Sequence, residues 1–164
     1  MVAKNGVPLF KKAYGLANKS YNIQNRLDTK FNIASLGKMF TNVAITQLIQ
    51  KGDLLLNDPL YKYMNEEWLK PENSKKIQIQ HLQTHTSGLG DYFKSLYTQL
   101  SPMLFRGLED YRSLVVNQEL TFEPGERWSY SNTGMLLLDV VVERISGDSY
   151  YDYIRKHIFL FQQV

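Results

Sequence analysis

No cysteine occurs anywhere in the 164 residues. Disulfides and thiolate metal centres are thereby excluded, and nothing points to a redox compartment. The sequence also has no apolar run near the roughly 20 residues needed to cross a bilayer. Its longest apolar stretch, around Met135 to Val142, has the size of a helix core. Dense basic blocks are missing too. Formal net charge is only +3, and Lys and Arg are scattered among Asp and Glu, so no nucleic-acid partner is expected. Met1 leads straight into Val2-Ala3-Lys4-Asn5, which is no signal peptide. The expected compartment is cytoplasmic for the chain as it stands, and periplasmic or secreted if a leader precedes it. Internal repeats, low-complexity tracts and inter-domain linkers are absent. What is present is an ordinary globular composition, 43% hydrophobic and 21% charged, in a length that suits one domain.

Along the chain, Val2 to Lys4, Asn5-Gly6 and Val7 to Gly15 read as a β-hairpin, because Asn-Gly accepts positive φ at both turn positions. Leu16 to Lys30 reads as a polar, Asn-rich connection. From Ser35 the period becomes helical, with Leu36, Met39, Phe40, Val43, Ala44, Ile45, Leu48 and Ile49 on one broad face. Lys51-Gly52 ends that helix. The polar stretch Asn65 to Lys76 reads as a surface loop. Thr84-His85-Thr86-Ser87-Gly88 is a turn, and Asp91 to Leu120 holds one or two helices interrupted at Pro102 and Gly107. A second strong helix is expected over Gly134 to Ile145, and a last one from about Ser149 to His157.

Ser35 and Lys38 carry the first chemical signal. A serine hydroxyl is a weak nucleophile until a base takes its proton. Positions three apart on a helix share a face, with Cβ atoms roughly 5–6 Å apart. Lysine becomes a base when desolvation, or the positive end of a helix, disfavours its ammonium form. Backbone N–H groups at that helix end also suit an oxyanion. Taken alone, the pair fits better as an N-cap followed by a solvated first-turn lysine. S-x-x-K should arise by chance in about half of chains this long.

Tyr130-Ser131-Asn132 carries the second signal. A phenol near a lysine can relay a proton to a leaving group. An amide beside it can hold the lysine and a substrate carbonyl. On extended backbone, residues i and i+2 face the same side. Alone this motif is weak, since Tyr63-Met64-Asn65 matches it as well. The structural alternatives are a half-buried tyrosine and an Asn132 N-cap.

Together with two further segments, these motifs resemble one family. Phe31-Asn32-Ile33-Ala34-Ser35-Leu36-Gly37-Lys38-Met39-Phe40-Thr41 resembles the nucleophile segment of the β-lactamase-related serine hydrolases, a group that includes class C β-lactamases, D-alanyl-D-alanine carboxypeptidases and esterases. His81-Leu82-Gln83-Thr84-His85-Thr86-Ser87-Gly88-Leu89 is similar to the family's L-x-x-H-T-S-G-L segment. Phe122-Glu123-Pro124-Gly125, running into Tyr130-Ser131-Asn132, is similar to its F-x-P-G and Y-S-N segments. Three segments in order outweigh the N-cap reading. The resemblance implies an α/β (α+β) chain of β-lactamase/transpeptidase-like fold: a helical region plus part of an antiparallel sheet. It implies catalytic roles for Ser35, Lys38 and Tyr130, substrate binding by Asn132, a structural His85, and no cofactor or metal. A small-molecule or peptide substrate (a β-lactam, a D-Ala peptide or a small ester) is the expected partner.

One family motif, K-T-G or H-x-G on a late strand, does not occur after Tyr130. The resemblance therefore implies an incomplete domain over 1–164 that lacks its C-terminal strands. A chain of that kind is expected to expose apolar surface on the Ser35 helix and to be poorly soluble or weakly active.

Overall fold

The computed structural model describes residues 1–64, 67–93 and 96–160. Its residues gather into two compact units, 1–35 and 36–164.

The first unit holds two antiparallel pairs. β1 (Val2–Lys4) pairs with β2 (Val7–Phe10), and β3 (Leu16–Asn18) pairs with β4 (Ile23–Gln24). Asn5 and Gly6 join the first pair at φ +50° and +77°, the left-handed conformation that Asn-Gly accepts. The second pair lies within the segment read as a polar connection. Strands of three and two residues show too little alternation to reveal themselves in sequence. All four strands are exposed along their length.

The second unit is helical. It contains α1 (Lys38–Lys51), α2 (Pro71–Lys76), α3 (Ile79–Gln83), α4 (Leu96–Gln99), α5 (Arg112–Val115), α6 (Asn132–Ser146) and α7 (Tyr150–Ile154). A π turn, Arg155–Phe159, continues α7. α6 is the centre of the unit. Thr133 to Leu138 and Val140 to Val142 are all buried, so the helix is apolar almost all round, as a core helix should be. α1, α3 and α7 pack on it.

In α1, Thr41, Ala44, Ile45 and Leu48 are buried at the i, i+3, i+4, i+7 spacing of a single helical stripe. Gly52 at φ +82° ends the helix, its N–H bonded to the Ile49 carbonyl and that of Asp53 to the Leu48 carbonyl. The broad apolar face expected from sequence is thus divided. Leu36, Met39 and Val43 stay 68%, 58% and 39% exposed. The expected start is also refined: Ser35 lies in a 3₁₀ turn, Ala34–Gly37, and the α-helix begins at Lys38.

One further expectation is corrected and another refined. The stretch read as a surface loop buries Trp68 and Leu69 completely and forms α2, with Pro71 at its first position. Its charged composition concealed two apolar anchors, and Asn65 and Glu66 fall outside the described residues. The region from Asp91 to Leu120 holds two helices, as expected, but each is a single turn, α4 and α5, on either side of Pro102 and Gly107. It is a series of short turns around rings. Tyr92, Phe93, Tyr97, Phe105 and Tyr111 contact one another with centroids 4.7–5.6 Å apart along the closest pairs.

Candidate active site

Ser35 is exposed within its 3₁₀ turn. The residue before it, Ala34, holds φ +45°, a left-handed conformation unusual for a residue with a Cβ. Asn32 supports that bend, its Oδ1 accepting from the Ala34 N–H at 2.7 Å. Lys38 occupies the first position of α1 and is half-buried.

Tyr130 and Asn132 are brought to the helical unit by a seam between two distant segments, 84–90 and 121–131. The Thr121 N–H donates to the Gly88 carbonyl at 2.9 Å, that of Gly125 to Thr86 at 2.8 Å, and that of Ser129 to His85 at 2.8 Å. Side chains extend the seam. The Thr121 hydroxyl also donates to the Gly88 carbonyl at 3.0 Å, and the Ser131 hydroxyl donates to Gly90 at 2.7 Å. Gly88 allows this close approach. Its φ is +78°, and a Cβ there would lie 2.2 Å from the Phe122 carbonyl oxygen, an impossible contact.

His85 sits at the end of the seam nearest Tyr130. Its φ is +58° and its Nδ1 accepts from the Ser131 N–H at 3.3 Å. The imidazole also packs on the Tyr130 ring, with centroids 4.6 Å apart, and meets Trp128 edge-on at 6.3 Å. Burial, with the charge of Lys38 nearby, holds this imidazole below the ordinary histidine range. Its contacts fix the backbone that carries Tyr130, in keeping with a structural part.

Lys38 approaches from α1. Its Nζ lies 5.3 Å from the centre of the Tyr130 ring, within cation–π reach. The structure therefore brings the amine up to the phenol ring from a distant part of the sequence.

Asn132 is the first residue of α6, not its cap. Ser131 is the cap, its hydroxyl accepting from the Gly134 N–H at 2.9 Å. The Asn132 amide is thus left for other work. Its Nδ2 donates to Asp91 Oδ2 at 2.8 Å. A carboxylate only accepts, so this bond orients the amide, with NH₂ toward Asp91 and Oδ1 the other way. Asp91 was missed in the sequence reading. Its place just beyond the H-T-S-G-L segment, after Gly90, was the available signal. Asp139, the one acid inside the apolar run Met135–Val142, was missed as well; its Oδ1 accepts from the Thr41 hydroxyl of α1 at 2.9 Å. The competing match Tyr63-Met64-Asn65 ends on a residue outside the described ones. Among the described residues no cluster of His, Cys, Asp and Glu is arranged to hold a metal, and no helix is long and apolar enough to cross a membrane.

Comparison with known proteins shows which family the chain resembles. The family model described as Beta-lactamase matches residues 1–161. Penicillin-binding protein 4* of Bacillus subtilis (strain 168) is 35% identical over 162 residues, covering 98% of this chain and 35% of its own. Esterase EstB of Burkholderia gladioli is 32% identical over 158 residues, covering 90% of this chain and 40% of its own. A crystal structure of a penicillin-binding protein from Bacillus halodurans superposes with a TM-score of 0.77 at 37% identity, over 89% of this chain and 44% of that one. The chain thus spans well under half the length of these relatives.

Proposed function

The chain belongs to the β-lactamase family, and from that membership we propose that it carries the acyl-transfer half of a serine hydrolase site. Ser35 attacks the carbonyl of a β-lactam, a D-Ala peptide or a small ester. Lys38 takes the hydroxyl proton, and Tyr130 passes a proton on to the leaving group. Asn132, oriented by Asp91, holds the substrate and the lysine. Water then attacks the Ser35 ester and releases the acid. The observation that carries this reading is the placement of the Lys38 amine 5.3 Å from the centre of the Tyr130 ring, on a backbone that His85 holds from two sides. The names of the relatives, a penicillin-binding protein and an esterase, support the substrate classes.

A covalent probe tests it. Incubation with a fluorophosphonate or with penicillin is expected to add one probe mass to the chain, mapped by peptide mass spectrometry to Ser35. Ser35→Ala should abolish the adduct, and Lys38→Ala should slow its formation by at least about 10²-fold, the usual contribution of a general base. Labelling that is indifferent to both substitutions would defeat the proposal.

A further inference from the structure

Asp91 does more than turn the Asn132 amide. Its Oδ2 accepts from Asn132 Nδ2 at 2.8 Å, and its Oδ1 accepts from the Phe93 N–H at 2.9 Å. Both donors are neutral. A carboxylate offers about four acceptor positions, so roughly half of them stay open. The charge also has no counterpart. Among the described residues no Lys, Arg or His is ion-paired with Asp91. The residue is half-buried, so a ligand can reach it while water screens its charge less than on an open surface.

We propose that Asp91 is the anchor for a free amine on the substrate, so that the site prefers an aminoacyl group with an unblocked α-ammonium. An ammonium brings three N–H donors and a positive charge, the complement of an open, half-buried carboxylate. A hydroxyl in its place brings one neutral donor. An acylated amine loses the charge and all but one donor. An acidic substituent is repelled. The spacing suits an amine on the α carbon. Asp91 and Asn132 are in direct contact at 2.8 Å, so groups held by the two lie side by side. In an aminoacyl group the amine nitrogen is about 2.5 Å from the carbonyl carbon, which places both within one such span.

As a statement about turnover the anchor rests on the reading of Ser35 as nucleophile and Asn132 as substrate holder, but the amine contact itself does not. Asp91→Asn separates the charge of this residue from its part in positioning. Asparagine keeps an acceptor oxygen for the Asn132 amide and the Phe93 N–H, so the orientation survives and the charge is lost.

Paired esters test it: the p-nitrophenyl esters of D-alanine and of D-lactic acid, which differ by an ammonium in place of a hydroxyl. Nitrophenolate release by the full chain is followed at about pH 6.5, where an α-amine is mostly charged, and each rate is divided by the spontaneous hydrolysis of its ester. The alanine ester is expected to react at least about 10-fold faster, the scale of one charge-assisted hydrogen bond. Asp91→Asn should bring that ratio to about one and leave the lactic ester within about 3-fold of its wild-type rate. Equal normalised rates in the wild type, or a ratio unchanged by Asp91→Asn, would overturn the anchor. If the variant does not fold, the wild-type ratio in rising salt decides. An ion pair weakens with screening, and a ratio indifferent to salt refutes it. Fluorophosphonate labelling of Ser35 separates the two ideas. Labelling with equal ester rates leaves the hydrolase reading standing and removes the anchor. Without labelling the hydrolase reading fails, and NMR titration with D-alanine amide and D-lactamide judges the anchor alone. Shifts of the Asn132 side-chain NH₂ with the amine only, lost in Asp91→Asn, support it, and their absence refutes it.

Discussion

At the scale of single residues, Gly88 shows how a motif letter becomes a physical requirement. Its left-handed backbone costs any other residue about 1–2 kcal/mol. A methyl group forced against the Phe122 carbonyl adds an overlap of about 1–3 kcal/mol. Gly88→Ala is therefore expected to destabilise the chain by about 3 kcal/mol, read as a lower denaturant midpoint at unchanged slope. A loss under about 0.5 kcal/mol would mean that the seam does not close as described. His85 meets a related demand by another route. It too holds positive φ, and its ring then supplies an acceptor for the Ser131 N–H and a surface for Tyr130. Protonation of Nδ1 would remove that acceptor, so the depressed basicity of this imidazole serves the arrangement.

At the scale of elements, the start of α6 carries the most consequence. One hydroxyl, that of Ser131, both caps the helix and reaches the Gly90 carbonyl. Ser131→Ala removes the cap, worth about 0.5–2 kcal/mol, and leaves the half-buried Gly90 carbonyl without that partner. A loss of about 2 kcal/mol is expected by chemical denaturation, with Ser131→Thr recovering much of it. The major helices were legible in the sequence because they follow strong periodic signals. Lys51-Gly52 and Ser146-Gly147 mark the ends of α1 and α6, where Gly52 and Gly147 take φ +82° and +74°. Asn5-Gly6 marked its turn for the same reason. Other elements were hidden by physics that acts between distant residues. β3 and β4 are too short to show a period. α2 is kept by Trp68 and Leu69, which sit beside polar neighbours in sequence. Of the site, Lys38, Tyr130 and Asn132 were readable from the motifs they stand in. Asp91 and Asp139 were not, since each derives its meaning from a partner at least 40 positions away.

At the scale of the whole molecule, exposed apolar surface is the feature with the clearest experimental signature. Leu36, Met39 and Val43 follow one side of the α1 segment and remain open to solvent. Contiguous exposed side chains of this kind favour association. The purified chain is expected to self-associate at high micromolar concentration, seen as a rise in weight-average mass by sedimentation or light scattering. Combined substitution Leu36→Gln, Met39→Gln and Val43→Thr should shift that rise to higher concentration. A chain that stays monomeric throughout would contradict this account.

The seam between 84–90 and 121–131 also has a consequence for how this sequence can vary. It pins both ends of the aromatic excursion from Asp91 to Leu120, much as a drawstring closes the neck of a bag. What hangs from a closed neck can lengthen at little entropic cost, since each doubling of a loop adds only about 0.6 kcal/mol. Residues can be added at its exposed turn by Met103 and Leu104 while the phenol of Tyr130 keeps its address.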